Sequence, residues 1–179
     1  MLSSDEELEK AKFYNASVLR LEEATTKAYE HIITKIQIML GIVTAIIPIS
    51  AGVGYYILSN TFSLPFFLLF VGSLISFIFA TVRGVSLLNT KWFEYKNLKL
   101  LVERYVKESL SFMIFRITTN LFDSNQHNVG VVNSLRVGLK QMAILIIIGL
   151  MLLTIAFSIL GVQIYSNIIN PTNSTILIK

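Results

Sequence analysis

Residues able to do chemistry are few and scattered in this 179-residue sequence. The two histidines are His31, beside Glu30, and His127, four residues after Asp123. Cysteine is absent, which excludes disulfides, iron–sulfur clusters and thiol catalysis. Two histidines without cysteine fall short of a zinc site, since even a catalytic zinc takes three protein ligands. No nucleophile–base pair, glycine-rich phosphate loop or shielded carboxylate pair occurs. The acidic cluster Asp5, Glu6, Glu7 and Glu9 reads as the complement of a helix dipole at an N-terminus. Neither an enzyme nor a cofactor or metal is expected. Asn173-Ser174-Thr175 is a glycosylation-type sequon, which makes Asn173 a formal acceptor if it lies outside the cell. Asn15-Ala16-Ser17 has the same pattern but falls in a segment assigned below to the cytoplasm.

The elements that must carry these residues are apolar. The composition is 54% hydrophobic and 15% charged, with a mean hydropathy of +0.66, against about 25% charge in ordinary soluble domains. Three apolar runs, roughly residues 36–58, 64–82 and 143–165, each approach or exceed the ~20 residues that cross a ~30 Å hydrocarbon layer. Pro48, in the middle of the first, predicts a helix kink. Gly41, Ala45, Gly52 and Gly54 thin the same segment. A short uncharged turn at residues 59–63 leads into the second run, with Pro65 in its first turn, where a missing N–H costs nothing. A loop this short makes the first two runs an antiparallel hairpin.

Ser3 and Ser4 precede Glu6 and Glu7 at capping-box spacing, so a helix is predicted to start near residue 4. Ala11, Tyr14, Val18, Leu21, Thr25, Ala28 and Ile32 form its expected apolar stripe, opposite Lys12, Glu22, Glu23, Lys27 and Glu30. A second amphipathic helix is expected over residues 91–113, with Tyr95, Leu98, Val102, Tyr105, Ser109 and Phe112 on one face and Glu94, Lys96, Glu103, Lys107 and Glu108 on the other. Residues 117–130 are polar and turn-rich and read as a linker, with a third helix starting near Val131. Asn170-Pro171 predicts the end of the last helix, and residues 167–179 form a short tail. The run Thr175-Ile176-Leu177-Ile178 has strand-like composition and can lie along a partner; a frayed terminus is the default.

Charge fixes the expected orientation. The formal net charge is +4, and fourteen of the fifteen Lys/Arg residues lie within residues 1–35 and 83–140. All eleven acidic residues share those segments, and only Lys179 lies on the other side. The positive-inside rule therefore places residues 1–35 and 83–140 in the cytoplasm and the C-terminal tail outside. The acidic opening lacks a basic n-region, so no cleavable signal peptide is expected.

Gly72, Ser76, Ala80 and Gly84 recur every four residues, a small-residue stripe that allows close helix packing in lipid. The stripe can pack against the first span of the same chain or against another subunit. Residues 36–82 and 143–165 contain no Asp, Glu, Lys, Arg or His. Pumps and charge-selective filters keep such groups at membrane depth, so a single-chain transporter is not expected. Lys35, Arg83, Lys91, Arg136 and Lys140 would stand at the cytoplasmic boundary as a basic collar for lipid headgroups, with Trp92 as an interfacial anchor. Pairing of Arg83 with a carboxylate of a partner subunit is the alternative.

The layout of an N-terminal helix, two spans joined by a tight outer turn, and a following basic-aromatic helix, including Lys91-Trp92-Phe93-Glu94-Tyr95-Lys96, resembles the SLATT two-transmembrane effector proteins over residues 10–113. The resemblance implies a membrane effector of prokaryotic nucleotide-signalled defence. The third span departs from the two-span plan, no nucleotide-sensing domain is attached, and no functional residue carries over. The expected fold is an all-α integral membrane protein: a cytoplasmic amphipathic helix (1–35), a transmembrane hairpin (36–82), a cytoplasmic helical layer and linker (83–140), a third transmembrane helix (141–166) and an extracytoplasmic tail (167–179). The function expected first is a non-catalytic accessory or scaffold subunit of a membrane complex. A homo-oligomeric pore-forming or membrane-disrupting effector is the alternative. Expected partners are membrane lipids and other membrane subunits or further copies, and not nucleic acid.

Overall fold

A computed structural model describes residues 4–60, 63–89, 94, 98–105 and 109–169. Among these residues the chain is helical, with no strand: α1 Ser4–Asn60, α2 Leu64–Leu88, α3 Leu98–Tyr105 and α4 Leu110–Ile169. Three of the four, α1, α2 and α4, are long and apolar enough to cross a membrane. Their most apolar 18-residue windows have mean hydropathies of 2.1, 2.2 and 2.9.

Helix starts follow local chemistry. The first turn of α1 carries Asp5, Glu6 and Glu7, favourable at the positive end of the dipole. Ser63 stands at the N-cap of α2, where its carbonyl accepts the Phe67 N–H at 2.9 Å. Ser109 does the same for α4, accepting from the Met113 N–H at 2.8 Å. Helix α1 continues through Pro48, whose ring nitrogen cannot serve the carbonyl one turn back.

The helix expected over 91–113 is corrected: Glu94 and Ser109 are non-helical, α3 lies between them, and a new helix begins at Leu110. Of its expected stripe Tyr105 packs inward, whereas Val102, Ser109 and Phe112 are exposed and Leu101 and Met113 pack inward in their place. The expected linker at 117–130 is likewise corrected, being continuous α-helix within α4. Several of its polar side chains bond back onto their own helix. The Thr118, Thr119 and Asn120 side chains donate to the carbonyls of Ile114, Phe115 and Arg116 at 2.7, 2.9 and 2.9 Å. Tertiary contacts described below hold Ser124 and Asn128, so packing overrides a weak propensity.

The described helices belong to two compact units. Unit 1 comprises Met1–Ile36 and Leu87–Gly138, and unit 2 comprises Gln37–Ser86 and Leu139–Lys179. In unit 1, Val18, Ile117 and Leu121 form a core with Leu101, Tyr105, Met113 and Phe122 against it. Leu8, Ala11, Asn15, Val18, Glu22, Thr25, Tyr29, Ile32 and Ile36 turn inward at an alternating three–four spacing, with Thr26, Ala28 and Ile33 half-buried beside them. Tyr14 and Leu21, assigned to the stripe from sequence, are exposed, and Glu22 is half-buried rather than on the outer face. In unit 2, Phe66, Phe70, Ala156 and Leu160 form a core with Ile57, Leu58 and Leu153 packed on it. Phe66 stacks on Phe70 with ring centroids 5.7 Å apart and meets Phe157 edge-on at 6.0 Å.

Candidate helix-packing site

The most developed constellation in unit 2 joins α2 to α4. Of the four stripe residues, Ala80 is fully buried, Gly84 and Ser76 are buried, and Gly72 is half-buried. A methyl built on Gly84 would meet Leu40 Cδ2 at 2.7 Å and Met142 Cε at 3.1 Å. At Gly72 it would meet Leu152 at 3.5 Å, an ordinary contact. The stripe is therefore occupied within the chain, chiefly by α4, with α1 at the Gly84 end.

Two hydroxyls tie the helices together. The fully buried Ser73 Oγ donates to the Gly149 carbonyl at 2.8 Å, and Ser76 Oγ donates to the Leu145 carbonyl at 2.7 Å. A helical carbonyl has two lone pairs, so it accepts these bonds in addition to its own helical N–H. Moving forward from 73 to 76 moves the partner back from 149 to 145, so α2 and α4 run antiparallel here. Neither Ser73 nor Gly149 belongs to the stripe singled out from sequence.

Aromatic rings fill sockets made by glycines. Phe77 lies against Gly149, where an added methyl would stand 2.7 Å from its ring, and Phe70 occupies the space at Gly54. In unit 1, Leu87 sits the same way on Gly138. Nothing local in the sequence separates Gly149 and Gly138 from Gly130 and Gly161, glycines of the same helix with nothing within 4 Å.

Arg83 Nη2 donates to Gln141 Oε1 at 2.8 Å, a contact made inside the chain. Lys35, Arg136 and Lys140 are exposed. Lys91, Trp92 and Asn173 lie outside the described residues. His31 and His127 are both exposed. Among the described residues no three His, Cys, Asp or Glu side chains come together.

Unit 1 holds a second polar constellation. Asn128 clamps the main chain of non-helical Glu94: its Oδ1 accepts from the Glu94 N–H at 2.9 Å, and its Nδ2 donates to the Glu94 carbonyl at 2.9 Å. Ser124 Oγ donates to Glu94 Oε2 at 3.3 Å. Thr118 Oγ1 also lies 3.1 Å from Asn15 Oδ1. Asn125, 2% exposed, leaves its Oδ1 without a partner. Partial burial raises the Glu22 pKa, whereas the hydrogen bond and charge of Lys27, 2.7 Å away, lower that of exposed Glu23.

Compared with known proteins, the chain matches no family model, no curated protein and no solved structure.

Proposed function

We propose that the chain is a multi-pass cell-membrane protein serving as a non-catalytic scaffold or accessory subunit of a larger membrane assembly. The observation that carries the membrane part is the outer face of unit 2. Ile49, Leu68, Phe79, Val82, Met151 and Val162 face outward, while beside the Phe66, Phe70 and Phe77 rings its buried positions include Ser50, Gly54, Ser73, Ser76, Gly149 and Ala156. A water-facing domain puts its large apolar side chains inside. In hydrocarbon that force between helices vanishes, and small residues with interhelical hydrogen bonds hold the bundle instead. The three long helices then cross the membrane, with residues 1–35 and 83–140 cytoplasmic and the C-terminal tail outside, as the positive-inside rule directs.

The assembly part rests on unit 1. Phe13 and Phe115 are 77% and 57% exposed. Tyr14, Phe112 and Phe115 line a groove of about 500 Å³, with Glu7 and Lys10 also on its wall. Aromatic residues with charged neighbours have the make-up of a protein interface. The α2 stripe, being filled within the chain, does not supply that interface. Purification of the tagged full chain in mild detergent should recover heterologous subunits in stoichiometric amounts. A chain that runs only as copies of itself overturns the accessory-subunit reading. Ion conductance by liposomes holding those copies would put the pore-forming reading, which the SLATT-like layout supports, in its place.

A further inference from the structure

Unit 2 contains no Asp or Glu, yet it holds Arg83 half-buried between two helices. The guanidinium carries five N–H donors, and its hydrogen bond among the described residues is the one to Gln141. Snorkelling accounts for an arginine that reaches toward headgroups. It does not account for one drawn sideways onto an amide across a helix gap.

A groove of about 530 Å³ lies at this point, open along its side. Phe79, Val82, Arg83 and Ser86 line it from α2 at three- and four-residue spacing, and Gln141, Ile144 and Leu145 line it from α4. The antiparallel register gives the groove two ends. Arg83, Ser86 and Gln141 stand together at the polar end, and Phe79, Val82, Ile144 and Leu145 continue from them as an apolar trough. Since Gln141 uses Oε1 to hold Arg83, its Nε2 remains a donor toward the same end.

We propose that this groove seats one anionic phospholipid, its phosphate against Arg83 and Gln141 and an acyl chain along the trough. Charge complementarity selects the occupant. The cation has no carboxylate in its own unit, a planar fork suits phosphate oxygens, and a zwitterionic lipid brings an ammonium that competes with it. Basic pockets between spans on the cytoplasmic side are where such headgroups are held, and the groove volume falls within the ~300–1,000 Å³ of small-molecule sites. The inference rests on the membrane reading above.

The test is native mass spectrometry of the full chain in mild detergent, titrated with phosphatidylglycerol and phosphatidylcholine of matched acyl chains. Phosphatidylglycerol should bind about tenfold more tightly, a difference worth about 1.4 kcal/mol. R83Q should erase the preference, and K140Q should keep most of it. V82W, at an outward position, fills the trough without touching the charge and should also lose the lipid. Far-ultraviolet circular dichroism confirms that each variant keeps its helices. Equal binding of the two lipids, a preference that survives R83Q, or one lost as fully in K140Q overturns the site. Displacement of the lipid by excess glycerol phosphate, or a dimer that takes up no lipid, overturns the phospholipid as occupant. Resistance of the chain to alkaline extraction from membranes is scored separately, so failure of the lipid site and failure of the membrane reading are distinguishable.

Discussion

A methyl group on Gly149 would lie 2.7, 2.9 and 3.0 Å from three carbons of the Phe77 ring, and Phe77 is itself fully buried. The ring has nowhere to turn, so Gly149→Ala should destabilise the chain by about 1–3 kcal/mol, the usual cost of overpacking. Gly161, in the same helix, has nothing within 4 Å of the corresponding position. Gly161→Ala should therefore be neutral or stabilising by up to about 1 kcal/mol through helix propensity. Thermal unfolding of both variants in one detergent checks the pair, and equal shifts would contradict the socket. From sequence alone the two glycines look alike. What separates them is a ring from another helix, and no local pattern encodes that.

At the scale of elements, the beginning of α2 was legible because Pro65 acts locally in its first turn. The α1 seam was legible only in part. Apolar Tyr14 and Leu21 looked like better stripe members than Asn15 and Glu22, yet Asn15 turns inward beside Thr118 and Glu22 is half-buried. The helicity of residues 117–130 was hidden for a related reason, since Asn128 spends its amide on Glu94 and not on a turn. Glu22 gives this seam a pH signature. Desolvation raises its pKa in the folded chain. Between the ordinary carboxylate value and the raised one, the folded state binds more protons than the unfolded state, so stability falls as pH rises through that window. Glu22→Gln removes the effect. The variant should melt higher than the parent at pH 7, with the gap closing below about pH 4; a gap that widens on acidification would contradict the assignment. The exposed Glu23–Lys27 pair should matter little to either curve.

For the molecule as a whole, the absence of cysteine makes orientation directly measurable. Ser17→Cys and Ser134→Cys should react with a membrane-impermeant maleimide only after cells are permeabilised, and Ser59→Cys should react in intact cells. Labelling of Ser17→Cys in intact cells would reverse the orientation. The three apolar helices were visible in composition, whereas the pairing of α2 with α4 rests on Ser73 and Ser76 finding carbonyls at 149 and 145. Those acceptors belong to the main chain, so no replacement at position 145 deletes its carbonyl, while any loss of the hydroxyl at 73 or 76 deletes a bond. Over evolutionary time the two sides of one contact drift under different rules. The large outward side chains of unit 2 are interchangeable with one another, and the small residues in contact with another helix are not. A descendant lineage would thus diverge fastest at its outward apolar positions and keep Ser73, Ser76 and Gly149 along with the buried rings.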